Sequence, residues 1–215
     1  MSEASGSVTS RLNALLTAAG LDTVDSALGL RFEAYLSLLL RWNARVNLTS
    51  VRDEDGILSR HFVESIACAS SLPAGIATLL DFGSGAGFPG IPIALCRRKV
   101  AVTLAESQGK RAAFLREAVR TLGISATVHS GRAETLCTKF DCATLRAVER
   151  MSQAVATASR LVASKGWLAL MTTRGELAAL QIAAGADWQW RKESPLPGST
   201  DRLLALAQRR ISSPA

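Results

Sequence analysis

The sequence predicts an α/β protein, a Rossmann-like seven-stranded sheet with a helical cap at its amino-terminal end. Three observations lead there. An apolar run over residues 77–80 closes on Asp81, passes through Gly83-Ser84-Gly85-Ala86-Gly87-Phe88-Pro89-Gly90, and enters a helix-like stretch with Ile91, Ile93, Ala94 and Leu95. Beyond it, apolar strand-like runs alternate with stretches of helical spacing, the pattern of βα units on a parallel sheet. The chain closes with two more strand-like runs around Pro195-Leu196-Pro197-Gly198, which read as a hairpin.

In chain order, residues 1–8 are small and polar and are expected to be disordered. Leu12, Leu15 and Leu16 mark a short helix that Gly20 ends. A longer helix is predicted over 26–45, with Leu28, Phe32, Tyr35, Leu36, Leu39 and Trp42 along one stripe. Residues 43–50 form a polar connector, and Asp53 caps a third helix carrying Ile57, Leu58, His61, Phe62, Ser65 and Ile66. Residues 1–72 are therefore assigned to the cap and 73–215 to the sheet domain, with Pro73-Ala74-Gly75 at the joint. A second strand over 100–105 ends at Glu106, and its helix over 108–122 stops at Gly123. A strand over 126–129, a turn over 131–136 and a fourth strand over 140–145 follow. The remainder reads as a helix over 153–162, a strand over 166–171, a helix over 176–183 and closing strands over 188–193 and 203–208.

A chain of 215 residues is long enough to bury a substantial core. Its net charge is +7 and 20 of its 25 basic residues are arginine, a side chain whose planar donor fork suits phosphates and guanine edges. Charge alone thus admits a nucleic-acid partner or an arginine-rich solvated surface. Cys68, Cys96, Cys137 and Cys142 lack metal-ligand spacing and sit in apolar sequence, so all four are expected to be small core residues and no metal is expected. With no long apolar run and no signal-like start, the protein is expected to be cytoplasmic and away from membranes; a monomer is expected.

The glycine loop admits two cofactors, or else is a plain glycine turn in an α/β scaffold. Gly85-x-Gly87-x-x-Gly90 spells the dinucleotide fingerprint, but the glycine directly after the strand is Gly83, and counted from there the third place falls on Phe88. The acid-x-Gly-x-Gly-x-Gly string from Asp81 instead fits the first motif of S-adenosylmethionine (SAM) methyltransferases, which places Gly83, Gly85 and Gly87 at the cofactor. Glu106 lies 23 residues beyond Gly83, where an acid holds ribose hydroxyls in Rossmann-type sites; the alternative is a solvated acid at a strand end. Arg132-Ala133-Glu134 follows the third strand, where an adenine would meet the Ala133 backbone, unless Glu134 only pairs with Arg132. After the fourth strand, Leu145-Arg146-Ala147-Val148 stands where many amino-group methyltransferases carry Asn/Asp-Pro-Pro-aromatic. No cysteine-centred motif for carbon-5 methylation is present either, which leaves a nucleophile needing no deprotonation, such as guanine N7. Arg146 is expected to face substrate oxygens or the SAM carboxylate; the alternative is a structural surface arginine.

The run from Asp81 to Pro92 closely resembles the glucose-inhibited-division B family of bacterial 16S ribosomal RNA guanine-N7 methyltransferases. Trp42-Asn43 with Asn47-Leu48-Thr49 resembles the family's helical signature, and His61-x-x-Glu64-Ser65 its His-x-x-Asp-Ser. Leu104-Ala105-Glu106-Ser107 with Gly109-Lys110-Arg111, then Arg132-Ala133-Glu134, then Phe140-Asp141 leading to Arg146-Ala147, complete a likeness over roughly residues 30–170. It implies a class I methyltransferase fold acting on guanine N7 in the 530 loop of 16S ribosomal RNA in the small ribosomal subunit. It implies SAM contacts at Gly83, Phe88, Ala133, Glu134 and Arg146, with Glu106 in the same pocket, and RNA-facing roles for Lys110, Arg111 and Arg202. Glu64 departs from the family's aspartate and is expected to orient His61; His61 and Trp42 are expected to be structural. Ser164-Lys165-Gly166, with Arg174 beyond, also departs from the family pattern. Two rivals stay open: a SAM enzyme acting on small molecules, and a non-catalytic RNA-binding or assembly factor on this scaffold.

Overall fold

A computed structural model describes residues 6–210. Five helical elements come first. Helix α1 (Val8–Ala18) is capped by the Ser7 hydroxyl and α2 (Ser26–Asn43) by the Asp25 carboxylate. A short α3 (Glu54–Gly56), capped by Asp53, continues through a π-helix (Ile57–Val63) into α4 (Glu64–Ser71). The disorder expected over 1–8 falls largely outside the described residues, and Val8 already opens α1. The sequence pattern carried no mark of the π-helix, whose wider turn still keeps Leu58 and Phe62 buried.

Seven strands form one sheet in the order β3-β2-β1-β4-β5-β7-β6. They are β1 (Thr78–Phe82), β2 (Ala101–Ala105), β3 (Ala126–His129), β4 (Phe140–Arg146), β5 (Val162–Thr173), β6 (Trp188–Pro195) and β7 (Arg202–Arg209). The first five are parallel, and β7 runs antiparallel to both β5 and β6. Helices α5 (Gly90–Cys96), α6 (Gly109–Leu122), α7 (Met151–Leu161) and α8 (Arg174–Ala184) connect the strands. Gly123 ends α6 in the left-handed region at φ 56°, the conformation for which a C-terminal glycine is selected.

Strand β5 is much longer than 166–171. It starts directly after α7 and absorbs Lys165 at φ 62° with Gly166 beside it. Those residues break the strand pattern in sequence; in the sheet they lie beside an irregularity in the register with β4, between Phe140 and Cys142, where an extra residue can be taken up without ending a strand.

The cap and one face of the sheet share one apolar core, in which Leu12, Phe32, Tyr35 and Phe62 belong to the same cluster as Leu79, Ile91, Leu104 and Phe114. Polar contacts fix the docking: the Arg31 guanidinium donates to the carbonyls of Leu122 and Gly123, which α6 leaves without helical partners. Trp42 sets its ring edge on Phe114 and donates its indole N–H to Glu117 at 3.0 Å, a structural role. A second core on the opposite face gathers α7, α8 and the closing strands, including Trp188 and Trp190, which share a side of β6. Cys68 and Cys142 are buried, and burial pushes the Cys68 thiol up to about 12. Cys137 departs from expectation: it is exposed in the loop before β4. No helix among the described residues is long and apolar enough to cross a membrane.

Candidate functional site

β1 is flanked by β2 on one side and β4 on the other, so chain connections leave it in opposite directions and a crevice opens at the carboxyl ends of the strands. The glycine loop rises there from Phe82. The Gly83 and Ser84 amides both donate to the Ala105 carbonyl at the end of β2, at 2.9 and 3.0 Å. Asp81, fully enclosed, accepts from the Gly90 amide at 3.2 Å and the Thr144 hydroxyl at 3.0 Å, tying the end of the loop to β1 and β4. Burial raises its carboxyl to about 6.

From above, the cap braces the same loop. Tyr35 is completely buried on α2 and donates its hydroxyl to the Ala86 carbonyl at 2.6 Å. Its ring stacks on Phe62 and leans on Phe88, which also receives the imidazole of His61 face-on at 4.7 Å. Sequence periodicity placed Tyr35 in the core stripe but carried no sign of this bond.

Two compartments meet at Gly83 and Val148. The first, about 380 Å³, is walled by Glu106, Ala133 and Glu134. The second, about 470 Å³, takes in Gly85, Phe88, Arg111, Arg146 and Arg202 together with Thr49, His61 and Glu64 from the cap. Both volumes are within the range of small-molecule sites. The structure thus brings together, on one continuous cleft, the expected residues Gly83, Gly85, Phe88, Glu106, Ala133, Glu134, Arg111, Arg146 and Arg202. Gly87 does not line it: a Cβ there would meet the Tyr35 hydroxyl at 2.8 Å and Ile91 closer still, so this glycine serves packing. Lys110 is exposed beside Arg111 in the first turn of α6.

Glu106 is buried, with Oε2 accepting from the Gly85 amide at 2.9 Å and Oε1 from the Gln108 amide at 2.7 Å. It is not a solvated strand-end acid. Glu134 is exposed and lies 3.8 Å from the Arg132 guanidinium.

Glu64 makes no direct hydrogen bond to His61; the two are linked through Arg146. Its fully buried carboxylate takes Arg146 at 2.8 Å on one oxygen, and on the other Nη2 and Nε of Arg202 at 2.6 and 3.0 Å. Arg202 is therefore half-buried in an ion pair rather than free on the surface. It reaches Glu64 because β7 is antiparallel to β5, so the first residue of β7 lies opposite Thr173 at the carboxyl edge of the parallel strands.

The two hydrogens of Arg146 Nη2 serve three acceptors: Glu64, the Arg60 carbonyl at 2.8 Å and, as the longer arm of a shared donor, Nδ1 of His61 at 3.2 Å. Nη1 of Arg146 is buried with no protein partner among the described residues. A guanidinium only donates, so Nδ1 of His61 accepts, the ring is neutral, and Nε2–H is given to the Thr49 hydroxyl at 2.7 Å. Burial, then Arg146 and Arg60, push the imidazole down to about 3.

Thr49, which motif reading singled out only as part of a signature, owes its place to Asn43. The buried Asn43 carbonyl oxygen accepts from the Leu48 and Thr49 amides at 2.9 and 3.0 Å, pinning the connector after α2 against the cleft.

Comparison with known proteins agrees with this architecture. The model of the GidB family, described as rRNA small subunit methyltransferase G, matches residues 30–194. Proteins named Ribosomal RNA small subunit methyltransferase G are similar over different extents. That of Stenotrophomonas maltophilia is 39% identical over 80% of this chain and 82% of its own. That of Neisseria meningitidis is 38% identical over 93% and 98%. That of Roseiflexus is 43% identical over 57% of this chain and 55% of its own. Among solved structures, a putative O-methyltransferase from Klebsiella pneumoniae superposes with a TM-score of 0.62 at 14% identity, over 95% of this chain and 98% of that one. Cofactor-bound Rv0187 from MTB gives 0.59 at 20%, over 93% and 96%. At such identities the likeness shows the fold, that of the class I methyltransferases.

Proposed function

The chain belongs to the GidB family, rRNA small subunit methyltransferase G, and from that premise we infer that it transfers the methyl group of SAM to N7 of a guanine in the 530 loop of 16S ribosomal RNA. The small ribosomal subunit is then its partner and the cytoplasm its place of action.

The residues present fit SAM. A Cβ at Gly85 would meet nothing nearer than the Gly83 carbonyl at 3.9 Å, so it would stand in the space of the cleft itself. The orphaned Nη1 of Arg146 is a buried donor in want of an acceptor, which a ligand carboxylate supplies. Glu106 would hold the ribose hydroxyls, the Ala133 backbone and Glu134 the adenine, and Gly83, Gly85 and Phe88 the centre of the molecule. When bound, SAM supplies an electrophilic methyl on a sulfonium.

The single observation that carries the choice of nucleophile is that the proton acceptors of the second compartment are all committed. Glu64 is taken by two arginines, and the His61 lone pair by Arg146. Glu176, at the head of α8, accepts from Thr172 and Thr173, which holds its carboxyl below the usual range. An exocyclic amine sheds a proton on methylation and profits from a base. Guanine N7 offers a lone pair and no proton, so this cleft needs only to orient the guanine and exclude water. Arg111, with Lys110 beside it, would meet RNA phosphate.

The test is single-turnover transfer to small subunits from about pH 6 to 9 at saturating SAM, with mass spectrometry of the product nucleosides. N7-methylguanosine formed at a pH-independent rate is expected. A product methylated on an exocyclic nitrogen, or a rate that titrates with one carboxylate or histidine, overturns the reading.

A further inference from the structure

The hydrogen bonds around Thr49 fix the direction in which its hydroxyl can act. A threonine hydroxyl has one hydrogen and two lone pairs, and it ordinarily rotates to suit its partner. Here one lone pair receives Nε2–H of His61 at 2.7 Å, because Arg146 occupies the other ring nitrogen. The other receives the Val51 amide at 3.2 Å. Both lone pairs are spent, the hydroxyl hydrogen has no acceptor among the described residues, and Thr49 lines the second compartment. The hydroxyl is locked as a donor.

We propose that Thr49 is a specificity-determining residue that donates its hydroxyl hydrogen to O6 of the guanine being methylated and rejects a purine bearing an amino group at that position. The inference rests on the guanine-N7 reading above. Guanine and adenine both present N7 as an acceptor on the same edge and differ beside it, guanine with the O6 acceptor and adenine with an N6 amino donor. Reactivity at N7 therefore cannot choose between them; a group beside N7 must. A rotating hydroxyl accepts from the amine as readily as it donates to the carbonyl oxygen. One whose lone pairs are filled by His61 and Val51 meets the amine donor to donor.

Position favours the base over the cofactor as its acceptor. The expected SAM contacts come from the strand ends and the glycine loop, whereas Thr49 belongs to the connector of the cap, held there by Asn43. The chain of contacts Glu64, Arg146, His61, Thr49 also gives the buried ion pair a purpose at the substrate: it fixes the imidazole tautomer, and the tautomer fixes the hydroxyl.

The test uses small subunits reconstituted on 16S ribosomal RNA carrying guanine, 2-aminopurine or 2,6-diaminopurine at the target position. All three keep N7 and the 2-amino group, and they carry an oxygen, a hydrogen or an amino group at position 6. The wild-type protein is expected to methylate them in that order, with a loss of about tenfold at each step, the scale of one hydrogen bond lost and one donor left facing another. Thr49→Val should bring all three rates within about threefold of one another, near the wild-type rate on 2-aminopurine. Thr49→Ser, which keeps the hydroxyl, should restore the order, and SAM affinity should be the same in all three proteins. Equal wild-type rates on guanine and 2-aminopurine overturn the proposal without any variant. So does an undiminished preference in Thr49→Val, or a SAM affinity that falls with it, which would make Thr49 a cofactor contact. A wild-type protein that leaves the guanine subunit unmethylated at N7 refutes the function reading itself, a distinct outcome.

Discussion

Glu64→Gln isolates the ion pair at the centre of the cleft. The carboxylate is fully enclosed, and the side chains of its partners Arg146 and Arg202 are 13% and 32% exposed. The amide keeps nearly the same volume and leaves two guanidinium groups without their counter-charge. Removing one member of a buried pair costs roughly 3–5 kcal/mol, because the remaining charge stays desolvated. Arg202, a third exposed, can turn to water, so the lower end, about 3 kcal/mol, is expected. That is a large share of the roughly 5–15 kcal/mol that holds a domain folded. In a chain of this size it amounts to a fall of about 6–12 °C in Tm. Urea unfolding at pH 7.5 reads the loss directly. Glu64→Asp retains the charge and should cost only about 1 kcal/mol, since Arg202 can follow the shortened carboxylate by its exposed side. The double variant Glu64→Gln/Arg146→Gln should be less destabilised than the sum of the single changes. A loss below about 1 kcal/mol for Glu64→Gln, or strict additivity in the double variant, would show that water screens the pair and that the cluster does not set the geometry of the cleft.

Glu106→Ala should lower SAM affinity about 10- to 150-fold, the equivalent of one or two charge-assisted hydrogen bonds, and calorimetry with an unchanged Kd would remove Glu106 from the ribose site. Replacing Lys110 and Arg111 together by alanine should flatten the log–log salt dependence of RNA affinity by about one to two units while sparing SAM binding; an identical slope excludes both from phosphate contact. His61 is depressed to about 3 from 6.5, so its contribution to stability is complete above pH 6.5 and is lost as pH falls toward 3. Asp81 is raised to about 6 from 3.8, so it opposes folding above pH 6 and that penalty is relieved as pH falls toward 3.8. The two trends oppose each other, and Asp81→Asn should therefore steepen the loss of stability between pH 6 and 4. Urea midpoints across that range check this, and a shallower slope in the variant contradicts it.

What the sequence made legible was local. The strand, glycine loop and helix around Asp81, the stop at Gly123 and the cap at Asp53 depend on residues within a few positions of one another, and the structure has each of them where the pattern put it. The place of Glu106 at the cleft was legible because its distance from Gly83 is set by one helix and one strand of nearly fixed length. The partners of Glu64 were not. Arg146 and Arg202 lie 82 and 138 residues away, and no local rule favours either over His61, three positions off. Nor does spacing reveal the π-helix that carries Arg60 and His61, although short π segments are frequent at functional sites. Thr49 was hidden for a different reason. Its role depends on which hydrogen bonds are already filled, and that follows only when the Arg146 and Val51 donors are placed in space.

Arg202 shows how far one step of topology reaches into the site. The closing strands were legible as a pair, but the order in which the pair joins the sheet was not. β7 lies between β5 and β6, and its first residue stands opposite Thr173. Were β6 the neighbour of β5 instead, Arg202 would stand one strand further out, about 4.8 Å away. Its guanidinium, 2.6 Å from Glu64 in the observed order, would then lie beyond ion-pair reach, and Glu64 would have a single partner. An arginine judged from its place in the chain alone is a surface cation ready for phosphate. The inserted strand turns it into the second clamp on a buried carboxylate. Among the described residues Arg60, Lys110, Arg111 and Arg174 at this edge form no ion pair, so RNA affinity should depend more on Lys110 and Arg111 than on Arg202, whose loss should appear first in stability.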